Sequence, residues 1–150
     1  MLRLRVAEEA DIPVLFELIG ELADFEQLRP QMTGTPEQLR RHLFGEPRYA
    51  HALMAEWDAA VAGFALYFFN YSTFLCRPGL YLEDLFVRSH FRGRGIGAGL
   101  LRSLEQRARD AGCGRLEWAV LDWNQRAIDF YQGFGARPHA GWTLYRKLLS

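Results

Sequence analysis

The segment from Leu85 to Gly112 places glycines and arginines directly ahead of an amphipathic helical pattern. Glycine allows backbone N–H groups to approach a ligand closely, and the N-terminus of a helix attracts an anion. Arg92 and Arg94 stand among these glycines, and guanidinium groups donate hydrogen bonds to phosphate oxygens in a fixed geometry. The pattern therefore indicates a cradle for a phosphate or pyrophosphate. A glycine-rich turn with solvated arginines is the alternative.

The residues around the glycines limit the type of phosphate ligand. A nucleotide loop of the Walker type needs a lysine after its last glycine, and none follows here. Gly93, Gly95 and Ala98 match the spacing of a dinucleotide-binding loop. However, the residues RSHF lie between strand and loop, where the dinucleotide fold turns directly, and Glu117 falls within its predicted strand rather than at the end. A dinucleotide-dependent oxidoreductase is thereby disfavoured.

Hydrophobic periodicity predicts the elements that must position this loop. An N-terminal strand precedes two helices, the first with Asp11 as its N-cap and the second with Thr35 and Gln38 as a capping box. A hairpin then turns at WDAA, and GLYLEDLFV has the apolar character of a central strand. After the glycines come a helix, a strand, a helix capped by Asn124 and a final strand, WTLYRKLL. This order predicts an α/β (α+β) fold with a mixed sheet covered by helices.

Size and composition favour one globular domain over residues 1–150. Basic and acidic residues both number 18, so the net charge of zero predicts no general affinity for nucleic acid or an anionic membrane. The N-terminus lacks a signal-peptide pattern and the longest apolar run is too short to span a membrane, which predicts a cytoplasmic protein. Cys76 and Cys113 lack metal-ligand spacing and the histidines are scattered, so we expect no metal site.

Two motifs together resemble a known family. VRSHFRGRGIGAGLL has an R-x-x-G-x-G pattern after a strand and resembles the pyrophosphate loop of the GNAT superfamily of acyl-CoA N-acyltransferases. NQRAIDFYQGFGAR resembles a second signature of that superfamily. Further stretches, including ELADFEQL and FALYFFNYSTFLCRPGLYLEDLFV, are similar to the diamine (spermidine/spermine) and thialysine acetyltransferases. The resemblance spans nearly the whole chain and implies a single N-acetyltransferase domain with a GNAT-like, mostly antiparallel sheet.

The resemblance implies acetyl-CoA as co-substrate, without a metal. The pyrophosphate is expected on the backbone amides of the glycine loop. The pantetheine arm is expected to run alongside the preceding strand as an added strand does. The residues predicted to bind the cofactor are Leu85, Phe86, Val87, Arg92, Gly93, Arg94, Gly95, Ile96, Gly97, Asn124, Ala127 and Tyr131.

The same resemblance suggests how transfer is catalysed. The phenol of Tyr131 is predicted to protonate the leaving CoA thiolate, whereas its helical spacing also fits a core aromatic. An alkylamine has a pKa near ~10.4 and must lose a proton before it attacks. We assign this proton to Glu83, directly or through water, and an acceptor-binding role to Asp84. Because successive strand residues face opposite sides, these acids meet at one amine only if the strand is bulged; alternatively, one acid simply pairs with an arginine.

The acceptor is expected to be a small cationic amine, a polyamine, diamine or thialysine-like amino acid. Glu26, Glu83 and Asp84 are the predicted anions of its site, with Tyr71 and Trp142 as aromatic walls. The family also suggests a homodimer. A GNAT enzyme acting on a peptide N-terminus, a lysine side chain or an antibiotic, and a non-catalytic CoA-binding module, remain the alternatives.

Overall fold

The computed structural model describes residues 1–149, which form two compact units, Met1–Ala119 and a second that begins at Val120. The first unit contains five strands and three helices. The strands are β1 (Leu2–Val6), β2 (His51–Trp57), β3 (Ala60–Ser72), β4 (Arg77–Val87) and β5 (Arg115–Trp118). The helices are α1 (Ile12–Phe25), α2 (Pro36–Phe44) and α3 (Ile96–Asp110), and the second unit contains α4 (Gln125–Gly133). That residues 1–150 form a single domain stays a prediction.

The strands form one sheet in the order β1-β2-β3-β4-β5. Neighbours from β1 to β4 are antiparallel, and β5 runs parallel to β4. This confirms the predicted mixed, mostly antiparallel sheet, the hairpin of β2 and β3, and the central position of β4. The predicted strand WTLYRKLL is wrong, since residues 142–149 adopt no strand. Apolar alternation makes a strand only where a neighbour pairs with it, and here the side chains of Trp142, Leu144 and Leu148 are exposed.

Helices cover both faces of the sheet. On one face, α1 and α2 bury an apolar cluster that includes Leu15, Leu18, Phe64, Leu66 and Phe86. On the other face, α3 packs so closely on β1 that a Cβ at its Gly99 would lie 2.8 Å from the side chain of Leu2. The sheet is therefore an internal layer, and its two faces can carry different chemistry.

Two half-buried arginines fix α1 against the sheet. Arg5 of β1 donates two hydrogen bonds to Asp11, at 2.7 and 2.9 Å. Arg88, just after β4, pairs with Glu17 and Glu21 of α1 at 3.0 Å each. Asp11 is the N-cap residue of α1, as predicted, but its side chain accepts from Arg5 and from the backbone N–H of Glu8 and forms no capping hydrogen bond with α1. These contacts determine where the C-terminal end of α1 lies.

Candidate active site

The predicted phosphate loop lies between the end of β4 and the start of α3. Gly93 and Gly95 have φ values of 79° and 77°, a backbone region that is strained for residues with a side chain. A Cβ at either position would meet nothing within 4 Å, so backbone conformation rather than packing requires these glycines. Gly95 is the N-cap of α3 and supplies no side-chain cap. The loop thus presents helix N–H groups on an exposed surface, where an anion can reach them.

Strand β4 is bulged at the two acids. On the β3 side, Leu66 pairs with Asp84 and Tyr67 pairs with Leu82, so Glu83 is the extra residue. Paired residues share a face of the sheet, and Leu66 belongs to the cluster under α1. Asp84 therefore faces α1. Leu82 pairs with Tyr67, the neighbour of Leu66, and so faces away from α1. Because successive strand residues alternate, Glu83 points away from Leu82 and faces α1 as well. The bulge meets the condition under which both acids serve one amine.

Glu26 joins this pair from the end of α1, where it is the C-cap residue. Burial, then the charges of Glu83 and Glu26, raise the pKa of Asp84 to about 7. Burial and the charge of Glu83 likewise raise the pKa of Glu26. Their mutual repulsion shows that the three carboxylates form one electrostatic cluster, which we call the acid cluster.

The acid cluster is not neutralised by arginine. None of the ion pairs among residues 1–149 includes Glu26, Glu83 or Asp84. The alternative in which one of these acids simply pairs with an arginine therefore does not hold for the described chain. An uncompensated cluster of this kind attracts a cation.

The edge of β4 next to the loop is open. Pairing with β5 covers only Gly79 to Leu82, within the described chain, and stops at the bulge. The predicted pantetheine segment, Leu85–Val87, lies beyond this point and retains β3 as its paired neighbour. Where β5 no longer pairs with β4, the main-chain N–H and C=O groups along that edge of β4 are left for hydrogen bonds with an extended ligand.

The two arginines of the loop differ in their contacts. Arg92 donates from Nε to the carbonyl oxygen of Val87 at 2.9 Å, and its guanidinium lies over the rings of Phe25 and Phe86. Arg94 is exposed and lies over the rings of Trp57 and Phe91. The side chain of Arg92 thus runs back from the loop toward α1 and β4.

In the second unit, Asn124 caps α4 by accepting a hydrogen bond from the N–H of Ala127 at 3.3 Å. This confirms the predicted N-cap. Asn124 and Ala127, both residues of the second signature, are thus hydrogen-bonded to each other. Tyr131 is half-buried, and no residue of α4 is fully buried. This argues against Tyr131 as an ordinary core aromatic, although its catalytic role stays a prediction.

The two predicted aromatic walls are exposed. Trp142 belongs to the second unit, and its ring stacks on that of His139 with 6.0 Å between the ring centres. Tyr71 pairs with Pro78 near the far end of the β3–β4 hairpin. It lies five residues beyond Leu66, roughly 17 Å along the strand. Within the first unit, the fold therefore does not bring Tyr71 to the acid cluster.

Comparison with known proteins agrees with this geometry. The sequence matches the Acetyltransferase (GNAT) family over residues 16–136. The chain belongs to the GNAT family of acetyltransferases. It is 40% identical over 154 residues to a thialysine N-epsilon-acetyltransferase of Bos taurus, covering 95% of this chain and 90% of the relative. It is 35% identical to a spermidine/spermine N(1)-acetyltransferase-like protein of Homo sapiens, over 96% of this chain and 22% of that protein.

The fold is likewise that of the family. An integron cassette protein from V. cholerae superposes with a TM-score of 0.81 at 26% identity, covering 98% of this chain and 92% of that one. The predicted GNAT fold and N-acetyltransferase class are thus confirmed. Among residues 1–149, no group of three metal-ligating side chains comes together. No helix in that range is long and apolar enough to cross a membrane.

Sequence reasoning missed two aromatic residues that lie next to the acid cluster along the chain, Phe25 and Tyr81. Phe25 was not a candidate, because an aromatic residue at the end of a helix usually indicates only core packing. Tyr81 was also missed; burial and the charges of Glu83 and Glu117 raise its pKa. The bulge offers one signal in the sequence, since two adjacent acids in an otherwise apolar strand do not suit a regular central strand.

The raised pKa of Asp84 predicts how stability changes with pH. A carboxyl whose pKa is higher in the folded state favours folding below its unfolded pKa, and this contribution is lost as pH rises through about 7. We expect Asp84→Asn to stabilise the protein at pH 8 by about 2–4 kcal/mol and much less at pH 4. Urea unfolding at both pH values measures this, with the exposed Asp122→Asn as control. An equal effect of Asp84→Asn at both pH values would contradict the assignment.

Proposed function

We propose that this enzyme transfers an acetyl group from acetyl-CoA to a primary amine of a small cationic acceptor. The observation that carries the proposal is the acid cluster, in which Glu26, Glu83 and Asp84 repel one another and form no ion pair within residues 1–149. Glu83 and Asp84 belong to β4, the strand that precedes the glycine loop, and Glu26 comes from the end of α1. A polyamine, a diamine or a thialysine-like amino acid has the positive charge that this cluster attracts.

Acetyl-CoA fits the residues of the loop and strand. The exposed amides around Arg92–Gly97 suit the pyrophosphate, because two glycines with positive φ turn the backbone toward solvent at a helix N-terminus. The open edge at Leu85–Val87 suits the amides of pantetheine. Asn124 and Ala127 contribute indirectly, since their hydrogen bond begins the helix that carries Tyr131.

The acid cluster supplies the base. A protonated amine binds near Glu83 and Asp84 and gives up one proton before its nitrogen attacks the thioester carbonyl. We assign this proton to Glu83, directly or through water, with Asp84 and Glu26 holding the cationic acceptor. The pKa of Asp84 near 7 favours a second assignment, in which Asp84 takes the proton, because a base is most effective when its pKa is close to the working pH.

Transfer then proceeds directly, without an acetyl-enzyme. The amine nitrogen forms a bond to the carbonyl carbon, the carbon–sulfur bond breaks, and the sulfur leaves as a thiolate. The proposal gives Tyr131 the role of protonating that sulfur, as a phenol held beside it in the ternary complex. The second proton, which the amine nitrogen loses once it is bonded to the acetyl carbon, then restores the phenol through solvent. The products are the N-acetylated amine and CoA.

Two other functions remain alternatives. A GNAT enzyme for a peptide N-terminus, a lysine side chain or an antibiotic would use the same loop with a different acceptor. A CoA-binding regulatory module would use the loop without turnover. The acid cluster favours the proposed function over a pure binder, because half-burying Asp84 and Glu26 beside a third carboxylate is costly and binding CoA does not require it.

Exposed apolar residues support a homodimer, also part of the proposal. They lie at the end of the β3–β4 hairpin, where Phe74 is 98% exposed and Tyr71 is 59% exposed. Surface apolar patches of this kind often mark subunit interfaces. We expect sedimentation analysis at micromolar concentration to give the mass of a dimer, and Phe74→Asp to shift it toward the monomer. Wild-type protein that stays monomeric at about 50 µM would contradict the proposal, because this concentration lies well above the Kd of a stable dimer, ~1 µM.

The acceptor and the role of Tyr131 are tested together. Purified protein with acetyl-CoA is assayed for CoA release against diamines, polyamines, thialysine and lysine, with product mass confirming acetylation. We expect turnover with one class of cationic amine, and a fall in kcat of about 10²-fold or more in Tyr131→Phe, because the proton donor is lost. Phe130→Leu, next to it on α4, is the control. Binding of acetyl-CoA without turnover of any amine would favour the regulatory module.

The identity of the base is tested by pH profiles of kcat/KM for Glu83→Gln and Asp84→Asn. If Glu83 is the base, Glu83→Gln removes the acidic limb and lowers kcat by about 10²-fold or more, whereas Asp84→Asn mainly raises the acceptor KM. If Asp84 is the base, the limb near pH 7 disappears in Asp84→Asn instead, because that limb reports its deprotonation. Loss of neither limb would exclude both assignments.

A further inference from the structure

Arg92 connects three separate parts of the first unit. Its backbone opens the glycine loop, immediately before Gly93. Its guanidinium carbon lies 5.1 Å from the ring centre of Phe25, the last residue of α1, and 5.6 Å from that of Phe86 in β4. Its Nε also donates to the carbonyl oxygen of Val87 at 2.9 Å. We call these contacts of Arg92 with Phe25, Phe86 and Val87 the arginine clamp.

The clamp holds the residues next to the acid cluster. Phe25 immediately precedes Glu26, and Phe86 follows Asp84 by two positions on the same face of β4. Phe86 is 7% exposed, whereas Phe25 is 41% exposed with the guanidinium over its ring. The clamp thus joins the end of α1, next to Glu26, to the segment of β4 that follows Asp84.

We propose that Arg92 is a positioning residue for acceptor binding, acting through Phe25 and Phe86 to hold Glu26 and Asp84 at the spacing that receives a cationic amine. This role rests on the proposed function and adds to it, because the loop arginine would otherwise serve only the phosphates of the co-substrate. The glycine amides that receive the pyrophosphate come from the backbone and do not need this side chain. The loop and the acceptor site therefore share one residue.

The geometry distinguishes this role from that of Arg94 in the same loop. A guanidinium over two aromatic rings that also donates to a carbonyl oxygen has its orientation set by the protein. Arg94 lies over Trp57 and Phe91, neither of which borders the acid cluster in sequence. Phe91, which lies under Arg94, is therefore a matched control for Phe25, which lies under Arg92.

The test compares Phe25→Leu, Arg92→Met and Arg92→Lys with the control Phe91→Leu. We expect Phe25→Leu and Arg92→Met each to raise the acceptor KM by about 5- to 20-fold, with less than about 2-fold change in the KM for acetyl-CoA in Phe25→Leu. Arg92→Lys keeps the charge over the rings and should recover part of the loss. The double variant Phe25→Leu with Arg92→Met should be no worse than either single change, since both break one clamp. Phe91→Leu should leave the acceptor KM unchanged.

A second readout does not depend on turnover. The side-chain carboxyl of Asp84 is titrated by carbon NMR in wild type, Phe25→Leu and Phe91→Leu. Glu83 of β4 and Glu26 at the end of α1 are the charged groups that act on it, and Glu83 and Glu117 of β5 act in turn on Tyr81 of β4. With the clamp broken, water enters and Glu26 moves away, so the pKa of Asp84 should fall toward its ordinary range in Phe25→Leu alone.

The outcomes separate failure of the clamp from failure of the proposed function. If no amine is acetylated but the titration of Asp84 shifts only in Phe25→Leu, the proposed function fails and the clamp stands. If amines are acetylated but Phe25→Leu changes neither the acceptor KM nor the titration, the clamp is overturned. A selective rise in the KM for acetyl-CoA in Arg92→Met, with Phe25→Leu silent, would likewise assign Arg92 to the phosphates alone.

Discussion

The bulge in β4 is the constraint on which the rest of the site depends. In a regular strand Asp84 would share the face of Leu82, while Glu83 would point to the other side. One inserted residue changes this, because Leu66 pairs with Asp84 while Tyr67 pairs with Leu82. The same irregularity coincides with the end of pairing to β5. A single local departure from ideal geometry therefore both gathers the acids and opens the strand edge.

Gathering carboxylates opposes folding, and the rest of the first unit offsets the cost. Burial and mutual repulsion raise the pKa values of Asp84 and Glu26, so both destabilise the folded state once they ionise. Helix α1, which brings Glu26 to the cluster, is held by Arg5 at its start and by Arg88 along its length. Strain at a functional site is thus carried by ion pairs elsewhere on the same helix.

Local signals predicted the elements well, and longer-range contacts explain what they missed. The capping box of Thr35 and Gln38 and the cap at Asn124 are formed by residues three apart, so sequence alone identifies them. The bulge depends on the register with β3, and the clamp joins Arg92 to Phe25 across most of the first unit. Asp11 shows a third case, in which a distant arginine takes the side chain that a local rule assigns to a cap.

The zero net charge of the chain does not weaken the case for a cationic acceptor. Attraction of a small ion depends on the charges near its site, not on their sum over the molecule. Much of the positive charge in the first unit is used in pairs with other acids, such as Arg5 with Asp11 and Arg88 with Glu17. Within residues 1–149 the acid cluster takes part in none of the ion pairs, so its carboxylates stay available to a cation. A balanced protein can in this way carry a strongly anionic site.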